Sequence, residues 1–151
     1  DATCPNTPGI NYIAHVCNDV GGWGAGFVLA VSKRWPEPAD AYRKWSTPGS
    51  PMHDRFALGN IQLVNVASNL CVVNMIAQHG YASKDNPVAI RYPALEECLS
   101  KLASKVCETS GTVHMPRIGC GLAGGDWSRV EAVIEATLSK AGIASFVYDY
   151  P

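Results

Sequence analysis

Two stretches of this chain place glycines where chemistry needs bare backbone. His15-Val-Cys-Asn-Asp-Val-Gly-Gly-Trp-Gly-Ala-Gly-Phe27 runs from an apolar segment through Gly21, Gly22, Gly24 and Gly26 into a second apolar run, Phe27 to Val31. Val113-His-Met-Pro-Arg-Ile-Gly-Cys-Gly-Leu-Ala-Gly-Gly-Asp-Trp127 repeats that order with Gly119, Gly121, Gly124 and Gly125. Each reads as strand, loop, helix. Such a loop clears side chains from a row of N–H donors, and the helix after it adds the positive end of its dipole. One glycine loop is a weak signal, because any turn that needs φ > 0 uses the same residues. Two in the same order can hold a diphosphate from opposite sides without a lysine.

Few side chains near these loops could do more than bind. Asp126, at the rim of the second loop, reads either as the N-cap of the helix that starts at Trp127 or as an acid facing the ligand. His79, beside Gly80, is an exposed loop histidine or a partner for Asp126. Cys120 lies between Gly119 and Gly121, and its thiol is expected to pack inward while its amide faces a phosphate. Trp23 is read as a lid over a bound sugar, with simple packing as the alternative. His15 and His114 fall inside strands and read as core histidines. Lys84, in Ser-Lys-Asp-Asn, reads as solvated.

The elements that position these residues follow from periodicity and punctuation. Ile10 to Val16 is an apolar strand, and a helix over 26–33 turns Phe27, Val28 and Val31 inward before Trp35-Pro36 ends it. Pro38 opens a helical piece over 39–45, and residues 50–59 read as loop. Ile61–Val66 and Leu70–Ala77, joined by Ala67-Ser68-Asn69, predict an antiparallel hairpin. Leu95, Cys98, Leu99, Leu102 and Val106 give a helix over 92–107 its apolar stripe. Gly111 interrupts, Thr112–Pro116 is a short strand, a helix runs over 127–141, and Ala144–Tyr148 is a final strand. Strands alternating with helices predict an α/β fold, a three-layer α/β/α sandwich with a mixed central sheet in one domain over 1–151. Both glycine loops then lie beyond carboxyl ends of strands, where ligands bind in such sheets.

Composition narrows the functional classes. The formal net charge is −1, with no basic cluster, so nucleic-acid binding through phosphate neutralisation is not expected. The six cysteines form no C-x-x-C pair and fit free thiols in a reducing cytoplasm; no metal site is expected. No apolar run reaches the length of a membrane span, and a monomer is expected. A dinucleotide-binding Rossmann domain does not fit, since no acidic residue ends a second parallel strand about twenty residues beyond the first loop.

The residues Ile13-Ala-His-Val-Cys-Asn18 with the glycine turn to Phe27, and Met115-Pro-Arg-Ile-Gly-Cys-Gly-Leu122 with Trp127, resemble the macrodomain family of ADP-ribose binders. The second motif is similar to the subgroup that includes terminal ADP-ribose protein glycohydrolase, and Asp1-Ala2-Thr3 is similar to the family's Gly-Asp-Ile-Thr start. The resemblance implies ADP-ribose or ADP-ribosylated protein as partner and no cofactor. It implies that Asp1, next to Ala2, accepts from the adenine amino group. Gly24, Ala25, Gly26 and Phe27 would cover the distal ribose and one phosphate, with Asn18 on that ribose. Ile118, Gly119, Cys120, Gly121, Leu122 and Ala123 would cradle the diphosphate, and Tyr148 or Tyr150 would flank adenine.

Departures from the family decide the chemistry. Gln78 stands where the terminal glycohydrolase has its lysine nucleophile, Ala123 where it has its aspartate, and Val28 where the MacroD-type hydrolases carry an acid. The remaining catalytic candidates are Asp126, Asn18 and His79, for an oxocarbenium-like step at the distal ribose. The readings, in order, are an ADP-ribosyl hydrolase, an ADP-ribose 1″-phosphate phosphatase and a non-catalytic ADP-ribose reader.

Overall fold

A computed structural model describes residues 1–149. The chain runs β1 (Asn11–Asn18), α1 (Phe27–Arg34), α2 (Glu37–Ser46), β2 (Ile61–Ala67), β3 (Leu70–Gln78), α3 (Tyr92–Thr109), β4 (Thr112–Pro116), α4 (Trp127–Ile134) and β5 (Ser145–Tyr148). The sheet order is β2-β3-β1-β4-β5, antiparallel at β2–β3 and parallel elsewhere. The mixed sheet of the three-layer reading is therefore present, with the hairpin at one edge.

Both central strands are apolar along most of their length because both of their faces are covered. Tyr12 and Ala14 of β1, with Cys71, Val73, Met75 and Ala77 of β3, turn toward α3 and α4, where Leu95, Leu99, Leu102, Val130 and Leu138 complete one core. Ile13, Cys17 and Val72 turn the other way, onto Val28 and Val31 of α1 and Ala39 and Tyr42 of α2. Among the described residues no helix is long and apolar enough to cross a membrane.

Three boundaries differ from the sequence expectation, each for a local reason. The loop over 50–59 holds a 3₁₀ turn, His53–Arg55, next to Phe56, whose ring packs on Tyr42 and Trp45. The helix expected to reach 141 stops being α-helical at Ile134 and continues as a π turn, Glu135–Ser139. There the Thr137 hydroxyl donates to the carbonyls of Val133 and Ile134, competing with the ordinary ladder, and the Lys140 N–H reaches back five residues to Glu135. At the end of α3 the left-handed residue is Ser110, φ 54°, rather than Gly111. Gly111 is small for another reason: a Cβ there would stand 2.8 Å from the Ile10 carbonyl and the Tyr12 ring.

His15 and His114 are core histidines, as read. The Asn74 amide donates to Pro38 and Gln62, which leaves its oxygen to accept from His15 Nε2 at 2.6 Å. Nε2 therefore carries the proton, and Nδ1 faces the Cys17 thiol. Burial lowers the His15 pKa from 6.5 to about 4, against the opposing effect of the Asn74 hydrogen bond. The unfolded chain then binds one more proton than the folded one between those values, so this contribution to stability is lost as pH falls from 6.5 toward 4. Its size is on the order of 3 kcal/mol. Urea unfolding of the wild type and His15→Gln at pH 7 and pH 4.5 should show a smaller acid loss in the variant; equal losses would contradict this assignment.

Candidate functional site

Because β1 pairs in parallel with both β3 and β4, the carboxyl ends of all three strands open on one edge of the sheet. The first loop, 19–26, leaves β1 there; the third, 79–91, leaves β3; the second, 117–126, leaves β4. The two glycine loops meet: a Cβ built on Gly26 would lie 3.4 Å from Cδ1 of Leu122. The third loop joins both. The Ala123 carbonyl accepts from the N–H groups of Ala89 and Ile90 at 2.8 and 3.2 Å, and Asp19 Oδ1 accepts from Gly80 N–H at 2.8 Å.

Asn18 folds the first loop. Its Oδ1 accepts from Val20 N–H, Gly22 N–H and the Tyr42 hydroxyl, and its Nδ2 donates to the Gly22 carbonyl. One Nδ2 hydrogen is left for anything else, so the side chain holds backbone in place before it can touch a sugar. Downstream of that knot the amides are open. Among the described residues, the N–H groups of Gly24, Ala25, Gly26, Phe27 and Val28 have no acceptor within the protein, and Gly26 caps α1 with no side-chain bond. The same is true of Gly119, Gly121, Leu122 and Ala123 in the second loop. Two rows of free donors and one uncapped helix start thus share an edge.

Side-chain charge adds little to them. Arg117, at the base of the second loop, is bonded to Asp149 and lies over the Trp127 ring at 5.0 Å. Asp126 is the N-cap of α4, accepting from Ser128 N–H at 3.0 Å and from its hydroxyl at 2.9 Å, while Tyr92 Oη accepts from Asp126 N–H. Unlike α1, α4 has its first donors satisfied from within.

Several expected contacts are corrected by the packing. Trp23 is not a lid: it is 8% exposed, packs on His15 and Tyr42 at 5.3 and 5.4 Å, and donates from Nε1 to Ser32. Its bulk wedges the loop onto the core. His79 does not pair with Asp126; its Nδ1 lies 2.7 Å from Asp19 Oδ2. The Tyr148 hydroxyl lies 2.8 Å from His114 Nδ1. Tyr150 lies outside the described residues.

The other positions stand as follows. Asp1 accepts from Thr3 N–H and hydroxyl through Oδ1, with Oδ2 facing Arg34 at 3.8 Å, and Ala2 is buried. Gln78 donates to the Gly80 carbonyl at the end of β3. Ile118 is a core anchor for the second loop, and the half-buried Cys120 packs on the same core with its thiol pKa raised by burial. Lys84 is exposed. Two residues went unremarked in the sequence. Asp19 joins the first and third loops, and Tyr81, 61% exposed, lies across Gly22 so closely that a methyl there would overlap its hydroxyl. Asp19 could have been found from pairing alone, since a parallel register with Asn18 opposite Gln78 puts residues 19 and 79 side by side.

No protein-family model matches the chain. A macrodomain protein from Streptomyces coelicolor is 48% identical, covers 99% of this chain and 95% of its own, and superposes with a TM-score of 0.83. The chain belongs to the macrodomain family. A chromodomain-helicase-DNA-binding protein 1-like protein of Danio rerio is 33% identical over 147 residues, which are 91% of this macrodomain but 14% of that protein's length. An ADP-ribose 1″-phosphate phosphatase of Lodderomyces elongisporus is 25% identical over 130 residues, covering 82% of this chain and 78% of its own. Thermosipho africanus DarTG, solved in complex with ADP-ribose, shares the fold at 15% identity and TM-score 0.72, over 93% of this macrodomain and 38% of that chain.

The glycines of the second loop divide by role. Gly124, φ 72°, has no room for a side chain because Pro87 carbonyl fills the space, whereas Gly121 faces no atom within 4 Å. Gly124→Ala should lower stability by on the order of 1–3 kcal/mol and Gly121→Ala by far less, measured by denaturant unfolding. Equal losses would show that the fold, and not a guest, needs the bare backbone at Gly121.

Proposed function

We propose that this macrodomain binds ADP-ribose with its diphosphate between the two glycine loops and releases ADP-ribose from modified acceptors. The observation that carries the reading is the pair of neighbouring donor rows at one sheet edge, Gly24 to Val28 and Gly121 to Ala123, whose N–H groups have no acceptor among the described residues. An anion is the guest that such donors and an uncapped helix start stabilise, and two rows suit two phosphates. The distal ribose would lie between Gly24–Phe27 and the ends of β1 and β3, near Asn18 and Gln78. Asp1 and Ala2 would border adenine. Gln78 and Ala123 stand where the terminal glycohydrolase has its lysine and its aspartate, which favours direct attack by water over a covalent route.

A second reading, hydrolysis of ADP-ribose 1″-phosphate, is favoured by the phosphatase from Lodderomyces elongisporus. Both reactions use the same cradle and differ in what is attached at C1″.

Calorimetry should show ADP-ribose binding with AMP much weaker, because AMP lacks the second phosphate and the distal ribose. Gly121→Val should weaken ADP-ribose at least about tenfold, equivalent to about 1.4 kcal/mol, with an unchanged melting temperature. Equal affinity for AMP and ADP-ribose would remove the diphosphate from the account. Acyl-linked, serine-linked and 1″-phosphate substrates assayed side by side separate the two reactions, and binding without turnover on all three would make the domain a reader.

A further inference from the structure

We infer that Asp19 and His79 form an acid–base dyad for hydrolysis at the distal ribose, with His79 as the catalytic base and Asp19 as its positioning residue; this rests on the hydrolase reading above. Asp19 follows Asn18 at the end of β1, and His79 follows Gln78 at the end of β3, at the carboxyl edge from which the first loop departs. Asp19 Oδ2 lies 2.7 Å from His79 Nδ1, while Oδ1 accepts from Gly80 N–H. A carboxylate can accept and not donate, so Nδ1 carries the imidazole proton and Nε2 keeps its lone pair. Among the described residues Nε2 has no partner.

A purely mechanical role does not account for this arrangement. The two loops are already tied without the imidazole, by Gly80 N–H on Asp19 and by Asp19 N–H on the Gln78 carbonyl at 3.0 Å. The His79 backbone is held separately, by its N–H on the Ala89 carbonyl at 2.9 Å. The carboxylate is 17% exposed and the imidazole 59%, so the acid is fixed and screened while the ring faces outward. A partly screened orienting carboxylate, a set tautomer and an open nitrogen are what a general base needs. Among the described residues at this edge, Asp126 has one oxygen committed to two donors as a cap, and Gln78 does not take up protons.

In the proposed step Nε2 takes a proton from a water beside C1″. The water oxygen bonds to C1″ as the bond from C1″ to the acceptor oxygen breaks, and its electron pair leaves with that oxygen. The imidazolium, held by Asp19, then returns the proton to the departing acceptor. The products are ADP-ribose and the free acceptor, and no further reactant is consumed.

The experiment compares wild type, His79→Gln, His79→Ala and Asp19→Asn on an ADP-ribosylated protein, with ADP-ribose affinity measured in parallel by calorimetry. Asp19→Asn keeps an oxygen for Gly80 N–H but turns an N–H toward Nδ1, moving the imidazole proton to Nε2 and removing the base. It should lower kcat about 10²–10⁴-fold, as should His79→Gln, with ADP-ribose affinity and melting temperature unchanged. Added imidazole should restore part of the turnover of His79→Ala and none of that of Asp19→Asn. Wild-type kcat in either His79→Gln or Asp19→Asn overturns the dyad while leaving the hydrolase standing. A wild type that binds ADP-ribose but turns over no substrate overturns the dyad and the hydrolase together, and one that does not bind ADP-ribose overturns the ligand reading itself.

Discussion

Everything at the site depends on one strand having parallel neighbours on both sides. Because β1 is flanked by β3 and β4 running the same way, three strand ends are forced onto one edge and three loops must share it. A hairpin in that position would have sent one loop to the far side of the sheet. The crossovers that make parallel pairing possible also supply the helices, and α1 begins where the first loop ends. The third loop then fastens the other two, through Asp19 at one end and the Ala123 carbonyl at the other.

The charge at this edge comes mainly from peptides. α1 starts with no acidic residue in its first turn and no side-chain cap, leaving its positive end open, while α4 is closed by Asp126. That asymmetry gives the two aspartate-bearing rims different duties. The second rim is finished structure. The first is kept in shape by Asn18 and Tyr42, at the cost of most of the Asn18 amide's hydrogen-bonding capacity, which leaves the following residues free to donate outward. Backbone donors held this way need little reorganisation when an anion arrives.

Much of the fold was legible because its signals are periodic: the α3 stripe, the alternation of strands and helices, and the turn between β2 and β3 all follow from local patterns. The paired glycine loops were legible for the same reason, since the need for bare backbone is written in the residue type. What the sequence concealed were partnerships between distant side chains. Trp23 in a glycine loop looks exposed, yet the loop's compactness depends on burying it against His15 and Tyr42. His79 has no local cue that its partner is Asp19, sixty residues earlier. The π turn after α4 includes a threonine hydroxyl bonded to the carbonyls of Val133 and Ile134, a contact that propensity does not register.

The central claim, that main-chain amides of both glycine loops receive one diphosphate together, is tested most directly by titrating ¹⁵N-labelled protein with ADP-ribose and following every backbone amide. The account predicts that the largest shifts fall at once on residues 24–28 and 119–123, with saturation at a common ligand concentration. Shifts confined to one loop, or centred on the far end of the sheet around Tyr12, Leu63 and Leu70, would contradict it.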